Sequence, residues 1–306
     1  MRVMRPCRMA SPALVSRTVL VPVNGAVCWP AQRAWLSARA IAGVELICGD
    51  SYRRTSVIDS LPCVIDVTCR CEGSMEVHVR ASAACDVADV VARVTRLLDL
   101  DRDISAMRRH FAGDALLAGA LASHPDLRVP GGWEPFELAV RAIVGQQVTV
   151  KAARQLAADL VAICGSPVPT AMQAPGLVGL FPTAAEVAAA DVSALRMPGA
   201  RRAALTALAR AVADDERLFE PGRPLDETIA RLRAVKGVGE WTAQYIALRA
   251  LRHPDAFPAS DVGLLRGATN ETGTRPTPAA LLERAERWRP CRAYAAQLLW
   301  AKDGDR

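Results

Sequence analysis

Between Leu232 and Asp261 the chain reads LRAVKGVGEWTAQYIALRALRHPDAFPASD, and the glycines at 237 and 239 leave little choice of local structure. Apolar residues recur at helical spacing on both sides, at Ile229, Leu232 and Val235 before them and at Ala243, Ile246, Ala247 and Ala250 after them. Val235-Lys236-Gly237-Val238-Gly239 is therefore read as a tight turn joining two helices, with glycine free to take a positive φ and to let another backbone come close. A helix that leaves such a turn starts with unpaired N–H groups. Those groups and the helix dipole together favour an anion. The stretch ends on Phe257-Pro258-Ala259-Ser260-Asp261, a proline-led loop that delivers a carboxylate to the start of another helix. Asp261 is also a good N-cap residue, and cap and functional acid need not exclude each other.

The rest of the chain divides into two textures. From Thr18 to Arg80 short strand-like runs dominate: Thr18–Val23, Val44–Ile47, Tyr52–Val57, Cys63–Cys69 and Met75–Arg80, with a helix at Pro30–Ala42 and another at Ala88–Leu98. After Leu98 the apolar period is almost wholly helical. The expected fold class is α+β: residues 1–17 as a disordered or mis-annotated extension, 18–108 as a small antiparallel-sheet domain with helices, and 109–306 as an all-helical domain. Glu134-Pro135-Phe136 opens a helix that stops at Gly145-Gln146-Gln147, and a new one runs from about Val148 to Cys164. Thr183 and Glu186 form a capping box, and Asp191 caps a short helix. Met197–Ala200 is a turn before a helix at Arg201–Asp214, whose first arginines suit either a phosphate or plain solvent.

Composition narrows the partners. The chain has 306 residues and a formal charge of +6, which suits a polyanion, but lysine occurs only at 151, 236 and 302, so the excess is nearly all arginine in an alanine-rich sequence. A GC-rich genome would give the same bias. No run of about 18 apolar residues exists, so no membrane partner is expected. The nine cysteines are scattered and odd in number, and Cys69 and Cys71 lack a matching histidine cluster, so no metal or disulfide framework is expected. Residues 1–44 hold six arginines and no acid, as a transit peptide does, although a disordered start is the simpler reading.

Four strings, LRAVKGVGEWTAQYIALR, ASDVGL, RAIVGQQVTVKAA and ERWRPCRAYAAQLLW, together resemble the helix-hairpin-helix DNA glycosylases. Within them the likeness is to the bacterial alkylation-repair branch, DNA-3-methyladenine glycosylase II. It covers most of the chain in the family's order. The resemblance implies a cytoplasmic, monomeric base excision repair enzyme, acting on double-stranded DNA that carries alkylated bases such as 3-methyladenine or 7-methylguanine. The target base would be flipped from the stack to be reached.

Residue by residue, the resemblance makes Asp261 the catalytic carboxylate. Its helix-start position favours the ionised form, which stabilises positive charge on the sugar and helps orient water. Trp35, Trp241, Tyr245 and Trp300 would line an aromatic cleft for the flipped base, with Gln146 at its mouth; aromatic faces hold a cationic base well. Gln147 takes the wedge position, where the family's best-known member has an aliphatic residue, which puts in doubt how the vacated stack is filled. Lys236, Gly237, Gly239 and Thr242 would grip the DNA strand. The carbonyls of Arg233, Val235 and Val238 match positions that hold a monovalent cation in similar proteins, and no other cofactor is implied. Related enzymes that also cut the strand place a Schiff-base lysine where Trp241 stands. Hydrolysis without lyase activity is the expectation. The rival readings are a glycosylase for uracil or deaminated purines, and a silent module that only recognises distorted duplex. Asp261 separates the silent module from the enzymes.

Overall fold

The computed structural model describes residues 14–71, 73–270 and 272–305. Its first part is a five-stranded antiparallel sheet in the order β1-β5-β4-β3-β2, made of β1 (Val15–Pro22), β2 (Glu45–Cys48), β3 (Ser51–Ile58), β4 (Leu61–Cys71) and β5 (Ser74–Ala81). Burial alternates strictly along β5, so one face is covered. The cover comes from α1 (Trp29–Arg39) and α2 (Val87–Leu98), whose Val90, Val94, Leu97 and Leu98 are buried with Val77, Val79 and Ile65 of the sheet. β1 begins at Val15 rather than Thr18, because Val15 to Arg17 continue the ladder against Ala81 to Val79. Of the extension expected at 1–17, residues 1–13 lie outside the described residues.

The second part is helical. It comprises α3 (Ile104–Phe111), α4 (Ala118–Ser123), α5 (Pro135–Val144), α6 (Val150–Cys164), α7 (Ala184–Ala189), α8 (Gly199–Asp214), α9 (Leu225–Arg233), α10 (Glu240–Arg249), α11 (Val262–Gly267), α12 (Pro278–Ala285) and α13 (Arg292–Gly304). One continuous core runs through it, with Ala139, Ile143, Leu205, Leu208, Leu232, Ile246 and Leu298 buried together. The capping box at Thr183 and Glu186 and the cap at Asp191 are formed. Arg202 braces the preceding turn through the carbonyls of Leu195 and Met197, so it is a structural residue there.

A buried ionic cluster joins the two parts. Arg54 on β3 donates to Glu137 on α5 at 2.7 Å, and Arg141 on α5 donates to Glu45 on β2 at 2.5 Å and to Glu137 at 2.7 Å. Tyr52 closes the set by donating to Glu45 at 2.6 Å. Two guanidiniums matched to two carboxylates satisfy the charges, which is the condition for burying them. Arg141 also donates to the carbonyl of Arg39 at 2.7 Å, fixing the end of α1 against α5. That contact sets where α1 carries Trp35.

Candidate active site at the hairpin and the Asp261 loop

The hairpin sorts its residues by chemistry. Val235 and Val238 are buried in the helical core, while Lys236, Gly237 and Gly239 are exposed. The turn is closed by Val238 N–H to the Val235 carbonyl at 3.0 Å. Gly237 has φ +87°, and a Cβ there would lie 2.3 Å from Cβ of Ala204 on α8. Only glycine fits. Gly239 is extended, at φ −84° and ψ 178°, and serves as the N-cap of α10.

α10 carries Trp241, Tyr245 and Arg249 at successive four-residue steps, hence on one face. Trp241 and Tyr245 stack at 5.3 Å between ring centroids, and Tyr245 meets Trp300 of α13 edge-on at 6.2 Å. The Phe257–Ser260 loop is tied to α10 by Phe257 N–H to Gln244 Oε1 at 3.0 Å. It delivers Asp261 to the start of α11, where the carboxylate accepts from Leu264 N–H at 3.0 Å. α11 lies directly on α13 because Gly267 leaves no side chain there; a Cβ would sit 2.0 Å from the Leu299 carbonyl oxygen. A Cβ on Gly263 would lie 3.0 Å from Cδ1 of the Trp300 indole.

Three donors therefore converge on one carboxylate. Asp261 Oδ1 accepts from Trp300 Nε1 at 2.8 Å as well as from Leu264, and Oδ2 accepts from Trp241 Nε1 at 2.9 Å. A carboxylate has about four lone-pair sites, so one remains, on Oδ2. The two indoles thus hold the acid.

Trp35, half-buried on α1, reaches the same aromatic group from the sheet domain. It shares with Tyr245 and Trp300 a single guanidinium, that of Arg249, whose Cζ lies 5.4, 5.9 and 4.8 Å from the three ring centroids. Arg249 was not among the residues expected here, nor was Arg39, whose Cζ stands 4.4 Å over Trp35. The spacing of Arg249 from Tyr245 and Trp241 was the available signal.

Gln146 and Thr242 are partners of each other in the structure. Gln146 donates to Thr242 Oγ1 at 3.0 Å and to the Gly237 carbonyl at 3.3 Å, so it ties the α5–α6 junction to the hairpin. Thr242 is buried at 3% exposure, and its hydroxyl faces Gln146 inside the fold rather than a strand outside it. Gln147 is exposed, with φ +56°. Lys236 is exposed at the turn. The Val235 carbonyl accepts from Val238 N–H and keeps a second lone pair, and carbonyl oxygens such as those of Arg233, Val235 and Val238 are the donor type a monovalent cation takes.

Two family models match the chain: the AlkA N-terminal domain over residues 20–134, and the HhH-GPD superfamily base excision DNA repair protein over residues 140–293. The chain belongs to the HhH-GPD superfamily of base excision DNA repair proteins. Among relatives of this HhH-GPD protein, DNA-3-methyladenine glycosylase 2 of Escherichia coli is 30% identical over 292 residues, covering 90% of this chain and 94% of that one. The probable bifunctional transcriptional activator/DNA repair enzyme AlkA of Mycobacterium tuberculosis is 36% identical over 284 residues, 92% of this chain. The chain spans about half of that relative, 56% of its length. The 3-methyladenine DNA-glycosylase from Archaeoglobus fulgidus shares the fold, with a TM-score of 0.80 at 22% identity, covering 94% of this chain and 98% of the other. Among the described residues no helix is long and apolar enough to cross a membrane.

Proposed function

We propose that this HhH-GPD protein is a monofunctional DNA glycosylase that hydrolyses the N-glycosidic bond of alkylated bases in duplex DNA. The observation that carries the reading is Asp261, fixed by two indole N–H groups at the edge of an aromatic cleft, next to a helix-hairpin-helix turn. The relatives named for 3-methyladenine support the substrate class.

Each part has a physical task. The exposed N–H groups at Gly237 and Gly239, with Lys236, hold backbone phosphate. A monovalent cation, when bound by the Arg233, Val235 and Val238 carbonyls, adds a positive charge facing that phosphate. Gln147 stands at the duplex where the nucleotide leaves, and the flipped base enters between Trp35, Tyr245 and Trp300. The bond between C1′ and the base nitrogen then breaks, with its electron pair leaving on the base. Positive charge grows on the sugar, and the carboxylate of Asp261 stabilises it. Water adds to C1′, and its proton passes to the carboxylate or to solvent. Tryptophan at 241 offers no amine, so no Schiff base forms and the abasic strand stays intact. We read the enzyme as a cytoplasmic monomer, with residues 18–108 and 109–306 as its two units.

The test is incubation of the purified protein with methylated duplex DNA, analysing free bases and strand breaks. The reading expects released alkylated purines and abasic sites that are cut only after alkali. Strand cleavage without alkali would remove the monofunctional part. DNA binding with no base released from alkylated, uracil or hypoxanthine duplexes would favour a silent recognition module.

A further inference from the structure

At the junction of α5 and α6 the four residues from Gln147 to Val150 are all exposed, and Gln147 takes a φ of +56°. That is a backbone which residues other than glycine adopt only at a cost. The residue before it is the one that is tied down. Gln146 is half-buried, and its amide nitrogen donates to Thr242 Oγ1 at 3.0 Å and to the Gly237 carbonyl at 3.3 Å. Among the described residues, both hydrogen bonds between the junction and the hairpin come from this one side chain.

The two acceptors belong to different parts of the hairpin. The Gly237 carbonyl shares its peptide group with Val238 N–H, which donates to the Val235 carbonyl, so that peptide is pinned at both ends. Thr242 lies in the first turn of α10, next to Trp241, whose indole holds Asp261. One amide thus fixes the junction against both the exposed turn and the helix start that supports the acid. The hairpin keeps its own shape without it. Val238 N–H to Val235, Ala243 N–H to the Gly239 carbonyl at 2.9 Å, and the close seat of Gly237 on Ala204 all close it independently. Deleting the amide therefore frees the junction and leaves the turn formed.

We propose that Gln146 is a positioning residue, which sets where Gln147 meets the duplex relative to the phosphate gripped by the hairpin. The proposal rests on the glycosylase reading above. A side chain entering the base stack must arrive in register with the strand being held, and a misplacement of about 1 Å is costly to the rate. The link therefore acts on flipping of the damaged nucleotide, not on affinity for undamaged DNA. It is tested with Gln146→Ala, Thr242→Val, Thr242→Ser and the double variant Gln146→Ala/Thr242→Val. Three quantities are measured: Kd for undamaged duplex, fluorescence of a 2-aminopurine beside a 7-methylguanine, and single-turnover release of that 7-methylguanine.

Gln146→Ala and Thr242→Val are expected to bind undamaged duplex as wild type does and to lose most of the fluorescence rise. Base release should slow about tenfold, the scale of one hydrogen bond. Thr242→Ser keeps the hydroxyl and is expected to recover both signals relative to Thr242→Val. The double variant is expected to be no slower than Gln146→Ala, because both changes delete one link. Equal losses of binding and release with a lowered melting temperature would make Gln146 a plain support of the fold and overturn the proposal. Unchanged fluorescence and rate in Gln146→Ala would overturn it too. Either result leaves the glycosylase reading intact, whereas a wild type that releases no base removes that reading and the positioning role with it. Should Thr242→Val not fold, Gln146→Met, similar in length and without a donor, carries the same comparison.

Discussion

Trp300 and Asp261 are 39 residues apart in the chain, and their side chains meet at 2.8 Å between indole Nε1 and carboxylate Oδ1. The contact exists because α11 lies against α13 through Gly267, which has no room for a side chain, and Gly263, where a Cβ would press on the Trp300 indole at 3.0 Å. Wall and acid of the cleft are therefore one unit. Trp300→Phe keeps a ring and deletes the donor. It is expected to slow base release about tenfold or somewhat more, the scale of one hydrogen bond to a charged group. Thermal denaturation of the variant alongside its single-turnover rate separates that effect from loss of fold; an unchanged rate would mean the indole N–H is idle.

The two hairpin glycines should respond differently to alanine. Gly237→Ala forces an alanine into φ +87° and drives its Cβ to within 2.3 Å of Ala204. A loss of about 2 kcal/mol or more is expected, with weakened DNA binding. At Gly239, where φ is −84°, a Cβ meets nothing within 4 Å. Gly239→Ala should cost at most about 1 kcal/mol, the difference in N-cap preference. Denaturant midpoints of the two variants, measured together, check the contrast.

In the proposed reading Gln147 sets stability against function. Its φ of +56° costs a non-glycine residue about 1 kcal/mol. Gln147→Gly is expected to raise the melting temperature while slowing base excision, because the side chain at the wedge position is gone. A variant that is both more stable and fully active would deny Gln147 any part at the duplex.

How these elements read from sequence differs by the kind of physics involved. The hairpin was legible because a positive-φ glycine between two helical periods is a local requirement. Asp261 was legible because cap chemistry is local too. The contact between Gln146 and Thr242 was not legible, because it joins segments 96 residues apart. The ionic cluster of Arg54, Glu137, Arg141 and Glu45 left no periodic trace, since four charged residues inside a core read as surface. Arg249 was visible as the next residue on the Trp241–Tyr245 face, but an arginine ending a helix reads first as solvated.

That ionic cluster gives the protein an acid limit. Burial would by itself raise the Glu137 pKa, but Arg54 and Arg141 outweigh it and hold it at about 2. A carboxylate depressed below its unfolded value contributes stability above about pH 4.3 and loses it as pH falls towards the folded pKa. Stability is therefore expected to decline between about pH 4.5 and pH 2. Glu137→Gln should cost about 3 kcal/mol at neutral pH, the scale for a broken buried ion pair, and should flatten that decline. Urea unfolding at several pH values tests both.

The measurement closest to the central claim is release of free alkylated bases from methylated duplex DNA by the wild type and by Asp261→Asn. Asparagine can still cap α11, so the variant is expected to fold. It is also expected to bind DNA, and to release bases about a hundredfold to a thousandfold more slowly, the scale of losing a preorganised charge at a developing cation. A variant that folds and releases bases at the wild-type rate would contradict the account, because Asp261 would then be a helix cap and nothing more.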